Sequence, residues 1–255
     1  MQSIFEKLQA LDAAPDQVLI SAYNQHFTRQ NPKYQLLASK QVRPCFFSGD
    51  IETPGKVVTI SLNPAYSPQV TEAEQAGMSF SDWYQHCRFR FARYGSDTAM
   101  HTIFKNLFKV IAPPTLWSSA DKRLYLQTHL LNLDWCCYYS EQFPSFALDK
   151  LPVGLQRSIY DSWDTTLHWL IERAAPRYIF VHGQAMQAWV NRSALELTPA
   201  LQLENSRHQP CRLFQGVFTG TTIPLYYLEH FINIVNQNTT LERINAFVNE
   251  DNRVA

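Results

Sequence analysis

The sequence has little of several features that mark whole classes of protein. It has no excess of charge, because 22 Lys and Arg residues balance 22 Asp and Glu residues. Binding to nucleic acid through net charge alone is therefore not expected, whereas a local basic stripe is compatible with this balance. No apolar run approaches the roughly 20 residues that cross a bilayer, so we expect no membrane partner. The eight glycines form no linker or repeat.

Cysteines are few and unevenly spaced. The count is five, an odd number, and no two of them form a C-x-x-C pair. This argues against a disulfide framework and against a zinc ribbon, so we expect no metal and no cofactor. The first residues lack both a basic region and an apolar core, which is not the pattern of a secretory signal. We expect a cytoplasmic monomer.

What the sequence does contain is an alternation of apolar strand-like runs with amphipathic helices. Of its 255 residues, 45% are hydrophobic, which suits one α/β domain over residues 1–255, with a helical extension over 1–43 packed on it. Such alternation predicts a three-layer αβα fold with a central, mostly parallel sheet of four to five strands. The predicted strands are 56–62, 129–137, 178–181, 211–218 and 223–228, and the clearest helices are 80–94 and 155–174.

Polar residues stand where these strands end, at Asn63, Asn132, Asp134, His182 and His230. Ligands of parallel sheets bind beyond the carboxyl ends of the strands, so these positions are candidates for function. Neither G-x-G-x-x-G nor a P-loop follows a strand, which leaves a dinucleotide or triphosphate site unsupported. The absence of G-x-S-x-G counts against an α/β-hydrolase.

Three short motifs occur in a suggestive order: ISLNP at 60–64, LNLD at 131–134 and YYLEH at 226–230. Together they resemble the uracil-DNA glycosylase superfamily over roughly residues 44 to 250. The Asn-Pro form of the first motif is most similar to the mismatch-specific, thymine-DNA and single-strand-selective branches. The resemblance implies the uracil-DNA glycosylase fold and a monofunctional DNA N-glycosylase that acts on a flipped pyrimidine without a cofactor.

The resemblance also implies roles for individual side chains. Asn63, placed by Pro64, would hold the attacking water, and His230 would donate a hydrogen bond to the pyrimidine O2 as negative charge accumulates there. Asn132 offers a donor and an acceptor to the edge of the base. Asp134 is an alternative water activator, because it is the stronger base and shares a strand face with Asn132.

The pocket that would hold the base is expected to include Ser61, Ala65, Tyr66 and Phe80, with one aromatic ring stacked on the base. Two departures from the family bear on the substrate. Ser61 stands where the first motif has Gly, and the second motif reads His-Phe-Ile-Asn rather than His-Pro-Ser. These changes imply a non-standard base, excised either in repair or in bacterial defence against phage with modified cytosines.

Contact with DNA, single- or double-stranded, is assigned to two segments. Arg88, Arg90 and Arg93 alternate with aromatic residues, a pattern compatible with phosphate and base contacts. Phe231 and Ile232 follow His230 and would form an apolar wedge that fills the space of the flipped base. The alternatives are a solvated basic helix face for the arginines and a core contact for the wedge.

Other interpretations of the catalytic candidates stay open at this stage. Asn63 before Pro is also a common turn former, Asn132 could bond backbone, and Asp134 could cap a helix or pair with an Arg. His182 and His230 could be core histidines. The alternative functions are a non-catalytic nucleic-acid or nucleotide binding module of the same fold, and a small-molecule nucleoside hydrolase that uses Asp134 with a histidine.

Overall fold

The structure is a computed structural model that describes residues 2–37, 42–62, 64, 71–94, 102–118, 121–143, 148, 150–204, 210–229 and 238–251. Its α-helices are α1 (Ile4–Ala13), α2 (Gln17–Phe27), α3 (Ala73–Gln75), α4 (Phe80–Arg88), α5 (Thr102–Ile111), α6 (Lys122–His129), α7 (Val153–Ala174), α8 (Gln187–Ser193) and α9 (Asn238–Asp251). Its strands are β1 (Phe47–Ser48), β2 (Val57–Ser61), β3 (Leu130–Asp134), β4 (Tyr178–His182), β5 (Ala194–Glu204), β6 (Pro210–Phe218) and β7 (Pro224–Leu228).

All seven strands belong to one mixed sheet, in the order β1-β3-β2-β4-β7-β6-β5. The pairs β2–β4 and β4–β7 are parallel, while β6 runs antiparallel to both β5 and β7. The predicted α/β class is therefore confirmed.

The prediction of four to five strands is wrong, because it missed β1 and β5. β5 is 11 residues long but mostly exposed, so it lacks the apolar run or clean alternation that predicts a strand. It also contains Pro199, which a strand tolerates at a sheet edge, where β5 lies. Its pairing with β6 shows two register irregularities, as is common at sheet edges.

The chain divides into two compact units, each built from three segments. Unit 1 comprises Met1–Ser48, Ser61–Arg88 and Leu133–Arg173, and unit 2 comprises Gly49–Ile60, Phe89–Asn132 and Ala174–Ala255. The core of unit 2 is a cluster of fully buried side chains from the sheet and from α5, α6 and α9. Asn245 links α9 to the end of α5, because its side-chain amide donates to the carbonyls of Lys109, Val110 and Ala112.

Unit 1 includes the predicted N-terminal helices. Asp16 caps α2, since its carboxylate accepts the backbone N–H of Leu19 at 2.9 Å. The helix then buries Tyr23 and Phe27. Tyr23 packs beside Trp163 of α7, with ring centroids 6.3 Å apart. An aromatic core therefore joins α2 to α7.

The predicted helix over 80–94 is shorter than expected, because α4 ends at Arg88. A continuing helix would direct the N–H of Ala92 to the carbonyl of residue 88. Instead, that N–H donates to Oε1 of Gln127 at 3.2 Å, and Arg93 closes a turn by bonding the carbonyls of Phe89 and Arg90. The turn takes Phe91 into the core of unit 2.

Candidate functional site

The carboxyl ends of three parallel strands are level with one another. Ile60 of β2 pairs in register with Val181 of β4, and Val181 pairs with Tyr227 of β7. Asn63 follows Ile60 by three positions, and His230 follows Tyr227 by three positions. Both of these catalytic candidates lie outside the described residues. The structure shows only the register of the strands that lead to them.

The strand order marks where a ligand of this sheet would bind. β3, which follows β2 in the chain, lies on one side of β2, and β4 lies on the other. The chain therefore passes from β2 to β3 on one side of β2, and later forms β4 on its other side. Open α/β sheets bind ligands beyond the carboxyl ends of the strands at such a switch point. The carboxyl ends of β2 and β4 lie at this place in the sheet.

His182 and Gly183 end β4 at this edge. Burial lowers the pKa of His182 to about 4, so the imidazole is neutral near pH 7 and acts there as a hydrogen-bonding group rather than a cation. Gly183 adopts a φ of 90°, a conformation that favours glycine. Its N–H donates to Leu228 at 2.9 Å, and its carbonyl accepts the hydroxyl of Tyr227 at 3.3 Å. These bonds fix the ends of β4 and β7 together.

β3 carries the predicted base-reading and acid residues, Asn132 and Asp134, both of which are buried. Just beyond Asp134, the N–H of Trp135 donates to the carbonyl of Ser61 at 2.9 Å. The next N–H, of Cys136, donates to the carbonyl of residue 62 at 2.8 Å. The end of β3 is thus bonded to the two residues that precede Asn63, which brings Ser61 and Asp134 into neighbouring positions.

Asp134 lines a cavity of about 210 Å³, which we call the unit 1 cavity. Its walls come from the N-terminal helical region, from Phe46 just before β1, from the end of β3 and the segment after it, and from α7, all within unit 1. The described residues that line it are Leu11, Ala14, Asp16, Phe46, Asp134, Trp135, Cys137, Tyr138, Ser162, Trp163 and Thr166.

Two indole rings form adjacent walls of this cavity. The centroids of Trp135 and Trp163 are 5.1 Å apart, and the ring planes are nearly perpendicular, at 85°. The Nε1–H of Trp135 donates to Oδ1 of Asp164 at 2.6 Å, which holds that ring in place. Trp163 packs against Tyr23 and Phe143. Both rings are therefore held by contacts with neighbouring side chains.

The thiols nearby are not nucleophiles. Burial is the main cause that raises the pKa of Cys136, and the carboxylate of Asp134 raises it further. The pKa of Cys137 is also raised, first by burial and then by the neighbouring thiols and Asp134. Both groups stay protonated near pH 7. Within the described ranges, His, Cys, Asp and Glu side chains form no group of three that could hold a metal ion.

Of the remaining members of the predicted base pocket, the structure describes Phe80. Ala65 and Tyr66 lie outside the described residues. Phe80 belongs to an aromatic cluster of unit 1, with its ring centroid 5.2 Å from that of Phe5 and 6.2 Å from that of Tyr84. It is therefore a packing residue, and its stacking on a base stays a prediction.

The predicted DNA-contact residues are spread over the end of α4 and the turn after it. Arg88 is half-buried at the end of the helix in unit 1. Within unit 2, Arg90 is half-buried and Arg93 is exposed, while the aromatic side chain of Phe89 is 42% exposed. Phe231 and Ile232 lie outside the described residues, so the wedge stays a prediction.

Sequence reasoning missed the unit 1 cavity. Trp163 falls within the helix predicted over 155–174 and Trp135 within the strand predicted over 129–137, and neither is among the candidate site residues of the sequence. The signal that points to them is their polarity, since each indole carries an N–H that needs a partner when buried. Asp16 both caps α2 and lines the cavity.

Comparison of the chain with protein-family models, with curated proteins and with solved structures gives no match. No helix in the described part of the chain is long and apolar enough to cross a membrane. The interpretation of the site therefore depends on its geometry and on the sequence motifs.

Proposed function

We propose that this protein is a DNA glycosylase that hydrolyses the N-glycosidic bond of a flipped pyrimidine, either uracil-like or modified. One observation carries the proposal: the strands that lead to Asn63 and to His230 are parallel and in register, with only β4 between them. Strands in a sheet are about 4.8 Å apart, so these two strand ends are separated by about 10 Å. Side chains that reach inward from both would leave room for one base.

The chemistry assigned to these residues follows from the bond that breaks. The sugar gains positive charge and the departing base gains negative charge. Asn63 would hold a water through its amide oxygen below the anomeric carbon, which needs a positioned nucleophile more than a strong base. His230 would stabilise the base anion by donating to O2. Asn132, buried on β3, would pair with the edge of the base.

The sequence of the two motifs favours a non-standard base over uracil. Ser61 is a small, half-buried residue at the end of β2, and Ala65 would add another small side chain. The His-Phe-Ile-Asn sequence in place of His-Pro-Ser changes the segment that is expected to contact the DNA. We infer a modified cytosine as the preferred substrate, in repair or in defence against phage.

The test measures base release from duplexes that carry uracil, a thymine mismatch, hydroxymethylcytosine or glucosylated cytosine. Release of one of these bases is expected, and Asn63→Ala should lower the single-turnover rate by about 100-fold or more, since it removes a catalytic contact. Asn191→Ala, at an exposed position of α8, is the matched control and should keep the wild-type rate. No release of any base at enzyme excess would overturn the proposal.

Asp134 is the other candidate for the water activator, and one comparison decides between it and Asn63. Asp134→Asn removes the basicity of the side chain but keeps its size. If Asp134 activates the water, this variant loses base release while Asn63→Ala retains much of it. The reverse pattern assigns the water to Asn63.

A binding module of the same fold predicts a different result. Such a protein would bind DNA with a steep salt dependence and release no base. Binding of a short fluorescent duplex at two salt concentrations, with wild type and with Arg88, Arg90 and Arg93 changed to Gln, reports the phosphate contacts separately. DNA binding without base release would therefore reject the glycosylase proposal and favour the binding module.

A further inference from the structure

We propose that Arg212 is a positioning residue for His230: it holds the carboxylate of Glu229, and this pair sets where the chain leaves β7 and His230 begins. Glu229 directly precedes His230 in the sequence. The inference rests on the proposed function, because it adds Arg212 to the site in which His230 acts. All the contacts that carry it lie within unit 2.

Arg212 and Glu229 are joined through both their side chains and their main chains. Nε of Arg212 donates to Oε2 of Glu229 at 3.2 Å, and Nη2 donates to Oε1 at 2.9 Å, a bidentate arrangement that fixes the plane of the carboxylate. The backbone N–H of Glu229 donates to the carbonyl of Arg212 at 3.2 Å. The Glu229 side chain is only 14% exposed, so its charge depends on this partner more than that of a fully solvated carboxylate would.

These bonds also explain why β7 ends before His230. β6 and β7 are antiparallel, with Leu213 opposite Leu228, so the next position of the ladder brings Arg212 to Glu229. In a regular hydrogen-bonded pair, the two residues exchange both backbone N–H···O bonds. Here the N–H of Arg212 donates to the side-chain Oε2 of Glu229 at 3.2 Å. The carboxylate thus takes the place of the next carbonyl of the ladder, and β7 ends at Leu228.

The guanidinium of Arg212 is itself supported by neighbouring aromatic rings. It lies over Phe214, 5.2 Å from the ring centroid, as in a cation–π contact. Phe214 stacks on Tyr227 with the centroids 6.0 Å apart, and the hydroxyl of Tyr227 donates to the carbonyl of Gly183, just after β4. The group that holds Glu229 is therefore connected to the ends of both β4 and β7.

Single-turnover base release at saturating enzyme, together with the Kd for the same DNA, tests this role. Arg212→Gln removes the bidentate bond and should lower the rate by about tenfold or more while changing the Kd by less than about twofold, since a displaced catalytic group slows the chemical step. Arg212→Lys keeps the charge but not the planar fork, so it should restore only part of the rate. Arg243→Gln, at an exposed arginine of α9, is the matched control and should keep both values.

Glu229→Gln separates positioning from direct binding of a DNA phosphate by Arg212. Positioning predicts a lower rate at unchanged DNA affinity, because the variant breaks the pair. If Arg212 served instead to bind phosphate, releasing its guanidinium from Glu229 would tighten DNA binding. Tighter binding of DNA by Glu229→Gln would overturn the proposal, as would a wild-type rate in Arg212→Gln.

The imidazole signal of His230 in NMR spectra gives a readout that needs no base release. The signal is identified by its loss in His230→Gln. It should shift or broaden in Arg212→Lys, which preserves the charge, and stay unchanged in Arg243→Gln. An unchanged signal in Arg212→Lys would refute the positioning role. If the wild type releases no base, the proposed glycosylase fails, while this signal still decides whether Arg212 positions His230.

Discussion

Replacing His182 by Gln should remove a large part of the acid sensitivity of the fold. His182 ends β4, its Nε2 is buried, and burial lowers its pKa from 6.5 to about 4. The folded protein therefore keeps this ring neutral at pH values where the unfolded chain protonates it. Glutamine retains an amide that can hydrogen-bond but does not titrate.

The sign and size of the effect follow from linkage. Between about pH 6.5 and pH 4 the unfolded state binds more protons than the folded state, so the free energy of unfolding falls as the pH falls. With pKa values of 6.5 in the unfolded chain and about 4 in the folded protein, the linkage relation gives a loss of about 2 kcal/mol in the free energy of unfolding between about pH 8 and pH 5. The loss approaches about 3 kcal/mol below the folded pKa.

Urea unfolding at pH values from about 8 to 5 measures this contribution. The wild-type free energy of unfolding should fall by about 2 kcal/mol more than that of His182→Gln over this range. Asn191→Gln, at an exposed position of α8 that does not titrate, is the control and should keep the wild-type pH dependence. If His182→Gln loses as much stability with acid as the wild type does, burial of His182 is not the cause.

Two further changes test the packing of unit 2 through the urea midpoint. Gly49→Ala should destabilise the protein by more than about 2 kcal/mol, since φ is 107° and a Cβ would lie 2.7 Å from the carbonyl oxygen of Leu130; Gly55→Ala, which meets nothing within 4 Å, should lose less. Asn245→Ala should cost about 1–3 kcal/mol, because the carbonyls of Lys109 and Ala112 lose their amide donor, while that of Val110 keeps a bond from Nδ2 of Asn249. A neutral result for either would contradict the contacts described.

The parts of the fold that follow from local pattern were predictable. β2 and β4 are short, β-branched or aromatic runs that are buried on both faces, as central parallel strands are. The helix predicted over 155–174 appears as α7, which begins two residues earlier. In each case a regular period of apolar residues carries the information, and burial in the fold reinforces it.

Features decided by distant contacts were not predictable in this way. α4 ends early because Gln127, 35 residues away from Ala92, takes the N–H that would continue the helix. β5 is a strand because β6 pairs with it, although its own residues are mostly exposed. The unit 1 cavity requires four stretches of the chain to meet, at residues 11–16, 46, 134–138 and 162–166. The spacing of residues within one segment does not indicate contacts between separate segments.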